Sequence, residues 1–90
     1  MPEISRFFGI VVRMFAEDKS VHHRPHFHVY YQEHEASYAL DPIELLNGSL
    51  PIRQRRLVEA WAELHLEELL GDWKLLMDGK PAKKIEPLEK

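Results

Sequence analysis

Hydrophobic and polar positions alternate with a period of two through the first half of the chain and with a helical period through the second. Phe7 to Phe15 is rich in β-branched and aromatic residues and predicts a first strand, which stops at the polar Glu17-Asp18-Lys19-Ser20. Pro25 biases Arg24 toward extended geometry, and His26 to Gln32 then alternates as a second strand. Glu33-His34 serves as the turn of a hairpin into Glu35 to Leu40, without the Asn-Gly signal that marks the commonest two-residue turn. Asp41-Pro42 breaks that strand, and Ile43 to Leu46 predicts a short edge strand before Asn47-Gly48-Ser49.

Pro51 suits the first turn of a helix, and residues 52 to 70 place Leu57, Val58, Trp61, Ala62, Leu64 and Leu69 on one arc, with His65 near its middle. Gly71 is the predicted end of this helix, and Asp72 the predicted cap of a shorter one over Trp73 to Met77, closed by Gly79 and Pro81. Lys80 to Lys90, with its prolines and lysines, reads as a loosely tethered tail. The pattern predicts an α+β fold: an antiparallel sheet of three or four strands with two C-terminal helices packed on one face, forming a single domain over 1–90.

Period-two alternation puts Phe27, Val29 and Tyr31 on one side of the second strand, facing the helices, and His26, His28 and Tyr30 on the other. Arg13 is expected to share the latter face, which stays open to solvent. A surface of imidazoles, tyrosine and arginine has the chemistry to stack bases or grip phosphate.

Composition narrows the field. A chain of 90 residues with 44% hydrophobic and 30% charged residues is an ordinary globular composition, and no apolar run approaches the roughly 20 residues of a membrane span. The first residues lack the basic-then-apolar character of a secretory signal, and there is no cysteine, so a cytoplasmic location is expected. A net charge of −3 argues against holding nucleic acid by bulk electrostatics and leaves only local basic patches.

Four of the six histidines lie in residues 22 to 28, His-His-Arg-Pro-His-Phe-His. Histidines at i and i+2 on a strand sit roughly 6.5 to 7 Å apart at Cα and project to one side. His26 and His28 are therefore candidate co-ligands of zinc or another divalent metal, with His65 as third ligand and His22, His23 or a carboxylate as substitutes. The same pair can act as general base and acid in RNA cleavage, with Arg13 or Arg24 stabilising the phosphorane. The plainer reading is hydrogen-bonded surface histidines, with His65 a core histidine bonded to a backbone or carboxylate partner. Arg13, Arg24, Tyr30 and Arg53 are the candidate binding residues. Arg53 opens the long helix, where it is either solvated or in contact with phosphate or an acidic partner.

Three segments together, Met1 to Phe15, Arg24-Pro-His-Phe-His-Val-Tyr-Tyr31 and Leu57 to Leu70, resemble the small prokaryotic family known as domain of unknown function 4160. Members read Pro-Pro-His-Phe-His where this chain has Arg24 to His28 and carry a helix histidine matching His65, so His26, His28 and His65 fit the pattern and Arg24 departs from it. The resemblance implies a stand-alone protein with no established activity. It also implies a place in toxin–antitoxin-like gene pairs, the partner being a small protein from a neighbouring gene.

Overall fold

The computed structural model describes residues 3–15 and 24–88. Five antiparallel strands run in sequence order across one sheet: β1 (Glu3–Phe7), β2 (Ile10–Arg13), β3 (His26–Tyr31), β4 (His34–Ala39) and β5 (Glu44–Gly48). Two helices follow, α1 (Ile52–Leu64) and α2 (Leu66–Met77). The α+β class matches the reading from periodicity. The strand count is five rather than three or four, because the expected strand over 7–15 is folded on itself. Phe8 and Gly9 both take positive φ, 51° and 77°, and turn the chain so that Phe7 pairs with Ile10. Positive φ at both central residues is what a type I′ hairpin turn requires. Phe8 is an unusual residue there, and its ring is left exposed.

The second hairpin turns at Gln32-Glu33, with Gln32 at φ 52°, one residue earlier than expected. β4 ends before the cis Asp41–Pro42 peptide. The predicted edge strand is present as β5, paired to β4 across a bulge between Ser37 and Tyr38.

One face of the sheet carries Phe7, Ile10, Val12, Phe27, Val29, Ala36 and Tyr38, all buried in a single cluster with Val58, Trp61, Ala62 and Leu69 of the helices. Trp61 is 0% exposed, with its ring 5.3 Å from Phe7 and 6.0 Å from Phe27. The Tyr38 hydroxyl crosses from β4 to α1 and donates to Glu59 at 2.9 Å. Burial first, and the Glu59 carboxylate second, raise this phenol well above its ordinary pKa. α2 contributes Leu69 to the same core, whereas the ring of its Trp73 meets His26, 5.0 Å away.

Two helix boundaries differ from the expectation. The long helix breaks at His65, where φ is −116°, rather than at Gly71, which lies inside α2. Asp72 is likewise interior to α2 and caps nothing. It is 3% exposed, and its Oδ1 accepts the Lys83 backbone N–H at 2.9 Å. Residues 80–88, expected as part of a loose tail, are hydrogen-bonded along the segment, beginning with the Lys80 N–H, which donates to the Leu75 carbonyl at 2.8 Å. Besides the Asp72 bond, the Ile85 N–H donates to the Ile4 carbonyl at 2.8 Å, and Trp61 Nε1–H donates to the Glu86 carbonyl at 2.8 Å. Ile85 is buried in the core. No helix among the described residues is long and apolar enough to cross a membrane.

Gly48 and Gly79 both have positive φ, 79° and 77°, but a Cβ at Gly48 would sit 2.0 Å from the Glu35 carbonyl oxygen, whereas Gly79 has open space. Gly79→Ala is expected to cost about 1 to 2 kcal/mol from backbone strain alone. Gly48→Ala should cost at least about 1 kcal/mol more in urea unfolding, because backbone must move.

Burial raises the Asp72 carboxyl above its ordinary value, opposed by the Lys83 N–H and reinforced by the Glu68 charge. Such a group binds its proton more readily folded than unfolded, so its contribution to stability is fully present below the unfolded pKa, about 3.9, and is lost as pH rises through the raised value. Asp72→Asn keeps an acceptor for Lys83. Its melting temperature should exceed that of the parent at pH 7, with the gap closing toward pH 4; a gap that widens on acidification contradicts this assignment.

Candidate functional site

The face opposite the core is built by strand register. Arg13 on β2 pairs with His28 on β3, His28 pairs with Ser37 on β4, and Ser37 pairs with Asn47 on β5. Directly paired residues project to the same side, so these four side chains form one row across four strands, roughly 4.8 Å apart. The next row holds Val11, Tyr30 and Glu35, and the row on the other side holds His26, Ala39 and Glu44.

Burial grades across these rows. His26 is 9% exposed and Ala39 0%, so the end where β3 begins is closed. The His26 Nδ1–H donates to the Arg24 carbonyl at 2.9 Å, which assigns the proton to Nδ1 because a carbonyl oxygen can only accept. The His28 ring stacks on Phe15 at 4.6 Å and 9° and meets the His26 ring edge-on at 5.2 Å. The Arg13 guanidinium lies 5.5 Å from the centre of the Tyr30 ring, and its buried Nε has no hydrogen-bond partner among the described residues. Beyond His28 the face opens into a shallow groove of about 370 Å³ lined by His28, Glu35, Ala36, Ser37, Asn47 and Gly48.

The other residues singled out by sequence lie elsewhere. Arg24 is exposed and paired with Glu44 at 2.7 Å. Arg53 is exposed on the first turn of α1, the helix whose Trp61 packs on the opposite face of the sheet. His65 stands at the junction of the helices, its Nδ1 2.5 Å from Glu68 Oε1 and its ring 5.7 Å from Trp61. Its partner is thus a carboxylate. His22 and His23 lie outside the described residues. His26 and His28 meet, but among the described residues no three His, Asp or Glu side chains are grouped so as to hold a metal ion.

The sequence-based reading missed Ser37, Asn47 and Phe15. The turn at Gln32-Glu33 pairs His28 with Ser37; a turn at Glu33-His34 would have paired it with Ala39. The alternation of faces was legible, whereas the register depended on a turn with no sequence signature.

The family model described as Domain of unknown function (DUF4160) matches residues 9–74. The chain belongs to this family. No curated protein and no solved structure matches it. The matched span of the DUF4160 domain contains the whole row from Arg13 to Asn47, along with His26, His65 and Trp73. β1 and the docked residues 80–88 lie outside it.

The unequal burial of the two imidazoles gives a stability prediction. His26→Ala removes a ring packed against Trp73 and hydrogen-bonded to the backbone, and is expected to destabilise by roughly 1 to 3 kcal/mol in urea unfolding. His28→Ala should cost less; the reverse order contradicts the packing described.

Proposed function

We propose that this DUF4160 protein works by binding, as one member of a toxin–antitoxin-like pair. The open end of the β2–β3–β4–β5 face meets its partner, a small protein encoded beside it or RNA. The observation that supports this reading is the unequal burial of two adjacent imidazoles. Acid–base cleavage of RNA needs two proton-transfer groups within reach of one substrate. His26 is 9% exposed and packed against Trp73, so among the described residues the more open part of this face carries His28 beside a cation, a phenol and an amide, with the Ser37 hydroxyl as buried as His26. These groups suit stacking and hydrogen bonding. The second reading, a ribonuclease using His26 and His28, draws on the 5.2 Å separation of their rings.

Co-expression with the product of the neighbouring gene, together with RNA binding and cleavage assays, separates the two. The binding reading expects a stable complex with that product or with RNA, weakened at least tenfold, about 1.4 kcal/mol, by Tyr30→Ala or Arg13→Ala, and no RNA cleavage. Cleavage that vanishes in both His26→Ala and His28→Ala while the fold persists would make the ribonuclease the correct reading. Absence of any complex would overturn the binding reading.

A further inference from the structure

We infer that the row Arg13, His28, Ser37 and Asn47 is a binding ledge for the phosphate group of a nucleotide, free or within single-stranded RNA. The inference rests on the binding reading of this face and adds the ligand's chemistry. Each of the four side chains carries a hydrogen-bond donor, with Asn47 exposed, Arg13 and His28 half-buried and Ser37 buried at 9% exposure, and they come from four different strands whose register aligns them directly. A guanidinium, an imidazole, a hydroxyl and an amide are the groups that position phosphate in protein–nucleic acid contacts. Among the described residues the row carries no carboxylate. Glu35 stands one row away and also lines the groove, so an anion is expected on the Arg13–His28 side.

The flanking groups suit the rest of a nucleotide. Tyr30 lies two residues along β3 from His28, about 6.6 Å at a rise of 3.3 Å per residue. A phosphate in the row therefore leaves a base or sugar beside the Tyr30 ring, which Arg13 already steadies from the neighbouring strand. Phe15 braces the His28 ring and fixes its direction. The groove of about 370 Å³ beside this row, lined by His28, Ser37 and Asn47 and also by Glu35, falls at the small end of the range for small-molecule sites, about 300 to 1,000 Å³. A net charge of −3 leaves this row as a local site rather than part of a broad basic surface, so one phosphate rather than a long run of them is the unit recognised.

Titration of the full chain with adenosine 5′-monophosphate, adenosine and a fluorescein-labelled eight-nucleotide single-stranded RNA tests the inference. The monophosphate should bind at least tenfold more tightly than adenosine. Arg13→Gln and Asn47→Ala should each weaken binding about tenfold, with circular dichroism confirming the fold; Asn47 is exposed, so its variant tests the ledge even if Arg13→Gln fails to fold. RNA bound tenfold more tightly than the monophosphate assigns the phosphate to a strand, and equal affinities assign it to a mononucleotide; both support the ledge. Equal binding of monophosphate and adenosine, no binding of either phosphate ligand at about 1 mM, or affinities unchanged in both variants overturns it. If those failures occur while the complex with the neighbouring-gene product forms and Tyr30→Ala breaks it, the binding reading stands without the ledge.

Discussion

Burial of Phe27 and Val29 is the constraint on which the rest of this structure depends. Side chains alternate along a strand, so burying these two in the core with Trp61 commits His26, His28 and Tyr30 to the opposite face. A slip of one residue would bury the imidazoles and expose the apolar pair, at a cost of roughly 1.5 to 3 kcal/mol for each large apolar side chain. The same alternation sets Arg13 beside His28 and, through β4 and β5, adds Ser37 and Asn47. Core and candidate site are two sides of one decision.

The sheet then divides the second face. At the beginning of β3, Trp73 of α2 covers His26, and the end is closed. Beyond His28 the groove opens beside Asn47 and Gly48. Gly48 has a local reason in this arrangement: its backbone approaches β4 so closely that a methyl group would meet the Glu35 carbonyl. The C-terminal residues serve the other side. They tie α1, α2 and β1 together through Trp61, Asp72 and Ile4, leaving the histidine face free of the chain's own end over the described residues.

Much of this was legible in the sequence because burial writes period two and period 3.6 directly into the order of residues. The faces of β3, the edge strand near 44–48 and the apolar arc of Val58, Trp61 and Ala62 follow from it. What was illegible depended on backbone geometry without a residue signature. Phe8-Gly9 turns a hairpin although phenylalanine rarely takes positive φ, so a continuous apolar run concealed two strands. Gly71 reads as a helix stop but is accommodated within α2, while His65, an ordinary helical residue by pattern, sits at the break. The one-residue shift of the β3–β4 turn moved Ser37 from opposite Tyr30 to opposite His28, and Asn47 lies within β5 rather than in the turn after it.

If the face carrying Arg13, His28, Tyr30, Ser37 and Asn47 is the surface by which this DUF4160 protein meets its partner, the amides of that face respond when the partner is added. Amide chemical-shift mapping of the isotopically labelled chain, titrated with the product of the neighbouring gene, tests this most directly. The largest changes are predicted at those five residues and along β5, with α1 unperturbed at Arg53 and Arg56. Changes concentrated on α1 or on residues 80–88, with the β3 face silent, would place the partner elsewhere and exclude this face as the contact surface.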